Sequence, residues 1–416
     1  MIEISKKYLK SLLIIFKFGN INLLKNYSFN QFEIILLSFV FFLNSIISAR
    51  NLSSFEYGNY AIIYSIFVLV QGFYTSCIGE TFLIKKNSIY NKQSISEIIF
   101  FVKYLILIMI CLGFLLHFFF NTNINNLIIY FISIFNLIIM QNNRYYFLSY
   151  NLNIKSIINT CLFLIFFILS LLTLTKFNIS LSTSYLYFSL LGFSAFLVNL
   201  INLKQIDFKN KVSNLENNKR FILKSFYSNI LFWCSGNLHW LLLGYFSKES
   251  LGIIKACLAI INPIQTITRG MSITIYKILN KNNNIRTFLK LIIFASIFSF
   301  ITIFIWNIAP FKVLEFTVGQ KYFAYKNAIS IIMFIPGLGF IASMGNAFLK
   351  FNNFFKPIYF SNIIISLFLS GYIIFNQENY DINNIALVIL TAVIINLGIL
   401  ASFTCRKLIL NLNNQN

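Results

Sequence analysis

Positively charged and amide side chains share one face of an apolar helix that the sequence predicts in the second half of the chain. At about 100° per residue, Lys255, Asn262, Gln265 and Arg269 fall on the same side. A cation at the centre of a bilayer costs roughly 2.5–3.5 kcal/mol on insertion scales, so such groups usually face a bundle interior or a water-filled cavity. We expect Arg269 and Lys255 to supply positive charge to a cavity. Lys255 also lies near the helix end, where reaching the headgroups is the alternative.

The preceding predicted helix carries a second polar arc. His239 lies in this arc, and Trp240 flanks it. The arc also contains Ser225, Ser228, Asn229 and Ser235. A single histidine in such a place is either a hydrogen-bonded structural residue or a proton carrier.

The first half offers an uncharged counterpart. Tyr64 and Gln71, with Tyr60, share one face of the second predicted span, and Asn44 gives the first span a smaller polar strip. An aromatic, uncharged lining suits sugar rings. Ordinary hydrogen bonding between helices is the alternative interpretation.

Two prolines and one arginine complete the candidate site. Pro263 lies inside the cationic helix and should kink it, and Pro336 with its neighbouring glycines should make a later helix flexible. Both are candidate hinges, and a rigid packed kink is the alternative. Arg50 ends the first span, where a gate, a cavity rim and a headgroup anchor are all possible.

Composition decides the class of protein that must hold these residues. Of 416 residues, 58% are hydrophobic and 11% charged, whereas soluble domains carry about 25% charged residues. The chain is therefore predicted to be an all-α membrane protein with about twelve transmembrane helices of about 20 apolar residues each. The net charge of +22 is explained by Lys and Arg in cytoplasmic loops rather than by nucleic-acid binding. With both termini inside, most of these cations fall on the inner side, Arg144 among them in a loop, and Lys321 falls in an outer loop, which predicts an N-in, C-in topology. Glu33 lies near the inner end of the first span, where a structural role and ion coupling are the alternatives.

The domain organisation follows from the longest hydrophilic stretch between spans. We predict a cytoplasmic amphipathic N-terminal segment (1–30), a first six-helix bundle (31–203), a basic cytoplasmic linker (204–222), a second six-helix bundle (223–405) and a cytoplasmic tail (406–416).

The two halves show a weak internal repeat. A shift of 194 residues aligns Ser53 with Ser247 and Gly58 with Gly252. In both stretches, a short polar turn on the predicted outer side is followed by a glycine and a long span. A parallel repeat of this kind places a pseudo-twofold axis along the membrane normal, which is a common plan among transporters.

Enzyme and metal motifs are absent from the sequence. There is no HExxH, P-loop, GxSxG or usable GxGxxG pattern. The six cysteines lie in apolar segments without a CxxC pair, so neither a disulfide framework nor a zinc site is indicated. We expect no enzyme activity, no metal and no cofactor. Energy would come from an ion gradient or from the gradient of the substrate.

Three stretches carry a resemblance to a known family. ISARNLSSFEYGNYAIIYSIF (47–67), RYYFLSYNLNIKSIINTCLFLI (144–165) and GNLHWLLLGYFSKESLGIIKACLAIINPIQTITRG (236–270) resemble bacterial polysaccharide exporters and lipid-linked oligosaccharide flippases. These belong to the multidrug/oligosaccharidyl-lipid/polysaccharide (MOP) superfamily, and the type that the chain resembles most is the O-antigen flippase (Wzx type). The family often has an acidic or other polar residue near the position of His239, so histidine leaves proton coupling open.

The resemblance implies a fold, a substrate and a location. It implies two six-helix bundles in a MATE-like V around a central cavity, in the bacterial cytoplasmic (inner) membrane. The substrate would be an undecaprenyl-diphosphate-linked oligosaccharide of the O-antigen, lipopolysaccharide or capsule type, flipped to the outer leaflet by alternating access. Arg269, Lys255 and Arg50 are the matching cations for the diphosphate. A coupling ion (H⁺ or Na⁺), membrane lipids and a glycan polymerase complex are possible partners.

Two rival functions remain open at this stage. An ion-coupled multidrug exporter would share the fold but would favour acidic cavity residues. A membrane glycan polymerase or ligase would need a large outer catalytic loop, and the longest predicted outer loop spans only about 310–326.

Overall fold

The computed structural model is almost entirely helical over the residues that it describes. The residues that it describes are 21–74, 93–94, 109–110, 113, 116–120, 124–149, 152–176, 184–202, 206–207, 219–262, 293, 296–297, 304, 318–351, 354–377 and 380–413. Seven helical segments within these residues are long and apolar enough to cross a membrane.

The first half contains five described helices. They are α1 (Ile21–Asn51), α2 (Ser54–Tyr74), α3 (Ile124–Ser149), α4 (Asn153–Lys176) and α5 (Ser184–Asn202). Helix α1 begins ten residues before the predicted span at 31, so the part of the predicted interfacial segment from Ile21 onward is continuous with the first spanning helix. Helix α3 packs on α5, and α4 packs on both α1 and α5.

The second half contains seven described helices, several of them short. They are α6 (Lys219–Trp233), α7 (His239–Phe246), α8 (Lys248–Ala259), α9 (Lys326–Ile332), α10 (Ile335–Phe351), α11 (Lys356–Phe375) and α12 (Ile382–Asn413). A π-helical turn (Cys234–Leu238) joins α6 to α7, and a 3₁₀ helix (Gln320–Tyr325) precedes α9. Helix α12 is central to the packing of the second half, because α9, α10 and α11 all pack against it.

A break between two helices lies next to Pro336. The chain leaves the helix at Met333 and Phe334, and Pro336 is the second residue of α10, where a missing N–H costs nothing. Pro336 is buried. The break is therefore packed within the bundle, and its mobility stays a prediction.

A pair of two-residue strands joins a segment of the first half to the predicted linker between the halves. Gln93–Ser94 (β1) and Ile206–Asp207 (β2) are parallel neighbours, with Gln93 opposite Ile206. The first strand follows α2, and the second lies in the predicted linker between the halves. Both were predicted on the cytoplasmic side, and the pairing places them at the same end of the molecule.

The two halves meet along α2. Helix α2 packs against α6, α7 and α8, and its contact with α8 is the most extensive one between any two described elements. The helices that carry the predicted site therefore form the contact between the halves.

Candidate functional site

Two glycines make the closest approach between the halves. A Cβ on Gly58 of α2 would overlap the backbone carbonyl of Lys248, and a Cβ on Gly252 of α8 would overlap the carbonyl of Ser54. Ser54 and Lys248 are related by the same 194-residue shift that relates the glycines. We call this contact the glycine crossing. In it, equivalent backbone segments of the two halves pack against each other.

Matching serine caps begin the two helices of the glycine crossing. The Ser53 hydroxyl accepts a hydrogen bond from the Glu56 N–H at 3.2 Å. The Ser247 hydroxyl accepts one from the Ser250 N–H, also at 3.2 Å. A serine cap satisfies a backbone donor that the first turn of a helix leaves unpaired. The weak sequence repeat thus corresponds to a repeated piece of structure.

A cation, an indole and an imidazole lie next to one another just beyond the glycine crossing. Lys255 is three residues after Gly252, and its ammonium nitrogen is 4.2 Å from the centre of the Trp240 ring. The His239 ring centre is also 4.2 Å from that of Trp240. His239 and Trp240 are 4% and 5% exposed, and His239 Nδ1 has no hydrogen-bond partner among the described residues. The structure therefore brings together three of the residues that sequence reasoning selected, and we call them the α7–α8 cluster.

The π-helical turn next to this cluster holds a second polar contact. The Ser235 hydroxyl lies 3.2 Å from the side-chain oxygen of Asn362 on α11 and donates to it. The amide nitrogen of Asn362 is buried without a partner among the described residues. Such π turns are often found at functional sites. Sequence reasoning missed Asn362, because hydropathy gives the depth of a residue in the membrane and not its partner.

The aromatic face of α2 divides between two roles. Asn44 of α1 donates to the Tyr60 hydroxyl at 2.7 Å, and both residues are buried. This contact is an ordinary hydrogen bond between helices, the alternative to a sugar-binding lining. Tyr60 therefore belongs to the packing of the first half. Tyr64 and Gln71 are only half-buried. Tyr64 stacks on Tyr60, with ring centres 6.1 Å apart.

Other contacts extend the seam between the halves along α2. The Trp233 indole N–H donates to the Ser65 carbonyl at 2.9 Å, and Phe73 stacks on Phe226 with ring centres 5.1 Å apart. These contacts run from the middle of α2 to its last turn, away from the glycine crossing.

The remaining predicted site residues are placed as follows. Asn262 is half-buried and lies beyond the end of α8, after a turn at residues 260–261, so its place on one helical face with Lys255 stays a prediction. Arg50 is exposed in the last turn of α1. Arg269, Gln265 and Pro263 lie outside the described residues, so their roles stay predictions.

One buried ion pair lies within the first half. Arg144 Nε donates to Glu33 Oε1 at 2.5 Å, and the Thr160 hydroxyl donates to the same oxygen at 2.9 Å. Glu33 is 1% exposed and Arg144 8%. The prediction had counted Arg144 among the cations of a cytoplasmic loop. Its guanidinium instead neutralises the Glu33 carboxylate inside the bundle, which supports a structural role for Glu33.

Comparison with known proteins identifies the fold. No protein-family model matches the chain, and no curated protein matches its sequence. Two solved structures match its fold. The lipid II flippase MurJ, in an inward closed conformation, superposes with a TM-score of 0.63 over 90% of this chain and 86% of that chain, at 14% identity. A MATE protein in complex with MaL6 superposes with a TM-score of 0.61 over 92% and 96%, at 12% identity.

The chain therefore has the fold that MurJ and the MATE protein share. The chain is a multi-pass helical membrane protein with this architecture.

Proposed function

We propose that the chain is a flippase that moves an undecaprenyl-diphosphate-linked oligosaccharide from the inner to the outer leaflet of a bacterial cytoplasmic membrane by alternating access. The observation that carries this proposal is the α7–α8 cluster: a lysine held on a buried indole beside a buried histidine, at the contact between two halves of a MOP-type fold. The likeness to a lipid II flippase supports a lipid-linked substrate.

The chemistry of the cluster suits a diphosphate. A cation–π contact stabilises by roughly 0.5–2 kcal/mol, whereas a hydrogen bond to a charged group contributes about 1.5–3 kcal/mol. The Lys255 ammonium can therefore exchange the Trp240 face for a phosphate oxygen. The indole vacated in this way offers an apolar face to a sugar ring. Arg269, on the same predicted helical face, would add a second, forked donor to the diphosphate.

Charge distribution favours this function over multidrug export. An exporter of cationic drugs needs a carboxylate that can accept the drug. Among the buried residues that the structure describes, Glu33 is the acidic one, and Arg144 already neutralises it. The site at the seam between the halves is cationic instead. A membrane glycan polymerase or ligase remains the enzyme alternative, and nothing in the described site favours it.

Replacing Lys255 with methionine tests the proposal directly. Translocation of a fluorescent undecaprenyl-diphosphate oligosaccharide across proteoliposomes should slow by about ten-fold or more, because one charge-assisted hydrogen bond to the diphosphate is lost. Lys255→Arg should retain most of the activity, since the charge is kept. Lys248→Met is the matched control: Lys248 begins the same helix and lies over Phe55, with its nitrogen 5.1 Å from the ring centre.

The same vesicles separate the rival functions. Unchanged lipid translocation by Lys255→Met, with the protein inserted at the normal level, would contradict the role of Lys255. Export of ethidium by the unmodified protein, without movement of the lipid, would favour the multidrug exporter.

A further inference from the structure

A lysine from the second half binds the end of the first helix of the first half. Lys321, in the 3₁₀ helix before α9, donates to the Leu52 carbonyl at 2.5 Å and to the Arg50 carbonyl at 3.2 Å. The adjacent Tyr322 is 1% exposed, and its hydroxyl donates to the Ala49 carbonyl at 3.5 Å. These carbonyls belong to the last turn of α1 and to the residue that follows it.

The chemistry of this contact is that of a helix C-terminal cap. The last carbonyls of a helix lack partners within the helix and carry the negative end of its dipole. An ammonium group is a suitable partner, because it is positive and has three donors. Here the cap comes from the opposite half of the protein, 269 residues from Leu52 in sequence.

The position of the cap gives it a role. Leu52 immediately precedes the serine that caps α2, so Lys321 holds the turn from which α2 enters the glycine crossing. If the two halves separate at this end, the bonds from Lys321 to Leu52 and Arg50 must break. The glycine crossing has matching parts in both halves, whereas the Lys321 cap is additional to it.

We propose that Lys321 is a latch that keeps the two halves closed at the end of the bundle that carries the glycine crossing. Breaking the latch favours the conformation that is open at this end. Under the proposed function, this end faces outward, and the latch sets how often the site opens to that side.

A native thiol can report the opening. Cys257, one turn beyond Gly252 on α8, is 0% exposed. In a chain that keeps Cys257 alone, maleimide reaches it when the halves part. The other cysteines to be replaced by serine are Cys77, Cys111, Cys161, Cys234 and Cys405. The rate of labelling is measured on the full chain in lipid nanodiscs.

We expect Lys321→Met to raise the labelling rate of Cys257 by about two- to five-fold, the effect of removing one cation from an exposed helix C-terminus. Lys321→Arg should label slowly, as the unmodified chain does. Lys326→Met, which removes a lysine five residues further along, should also label slowly. An unchanged rate in Lys321→Met, or an equal rise in Lys326→Met, would overturn the proposal.

A second reporter distinguishes opening from unfolding. Ala195 of α5 is 0% exposed within the first half. In a chain with Ala195→Cys as its sole cysteine, Lys321→Met should leave labelling slow, and fast labelling there would mean general loosening and would also overturn the latch. The proposal rests on the proposed function only for the direction of opening. The labelling needs no substrate, so its outcome is independent of whether the chain flips lipids.

Discussion

Replacing Arg144 with methionine is expected to lower the free energy of unfolding by about 3–5 kcal/mol, the usual effect of removing one partner from a buried ion pair. The substitution leaves the Glu33 carboxylate at 1% exposure with the Thr160 hydroxyl on one oxygen. The other oxygen, Oε2, already has no partner among the described residues. A buried carboxylate without a counter-ion must either remain charged at high cost or take up a proton.

The loss should be measured by chemical unfolding of the purified chain in detergent. Lys155→Met is the matched control: Lys155 is exposed on α4, the helix that also carries Thr160, and its loss should change the unfolding free energy by less than about 0.5 kcal/mol. The double variant Glu33→Leu/Arg144→Met should recover much of the stability, because removing both charges removes the penalty. Equal stability of Arg144→Met and Lys155→Met would show that the pair is not formed.

Replacing Gly252 with alanine is expected to force the two halves apart at the glycine crossing. The new Cβ would overlap the Ser54 carbonyl, which is backbone and cannot turn aside. Carbon atoms need about 3.5–4.0 Å of separation, so the helices must move. Overpacking of this kind typically costs about 1–3 kcal/mol or more. Gly58→Ala should have a similar effect, because Gly58 meets the Lys248 carbonyl in the matching way.

Gly72 supplies the control within the same helix as Gly58. A Cβ there meets nothing within 4 Å, and alanine is the better helix former by up to about 1 kcal/mol. Gly72→Ala should therefore leave the structure unchanged or slightly more stable. Spin labels at exposed Asn51 and Ala324 would measure the distance between the halves. An unchanged distance in Gly252→Ala would contradict the close approach.

Hydropathy predicted an all-helical membrane protein, because apolar runs of about 20 residues match the thickness of a bilayer. It also placed Glu33 near one end of its span and Arg144 next to a loop. Hydropathy could not pair Glu33 with Arg144, because it does not give the direction in which a side chain points around the helix axis. The two residues are also 111 positions apart in sequence.

The candidate site was predicted in part. His239, Trp240 and Lys255 lie together because helical periodicity puts them on facing sides of two consecutive helices. The π turn at Cys234–Leu238 had no clear sequence signal, and it fixes how α7 is rotated relative to α6. Lys321 was counted as an ordinary cation of an outer loop. Its role depends on carbonyls of another helix, which no sequence pattern around it reveals.

The glycine crossing has one further consequence. Gly58 meets the Lys248 carbonyl, and Gly252 meets the carbonyl of Ser54, the residue that the 194-residue shift aligns with Lys248. Such an arrangement is isologous, the geometry by which two identical subunits form a closed dimer. Each half of this chain thus carries a self-complementary ridge, and a half expressed alone would offer its own copy the surface that the covalent partner now occupies.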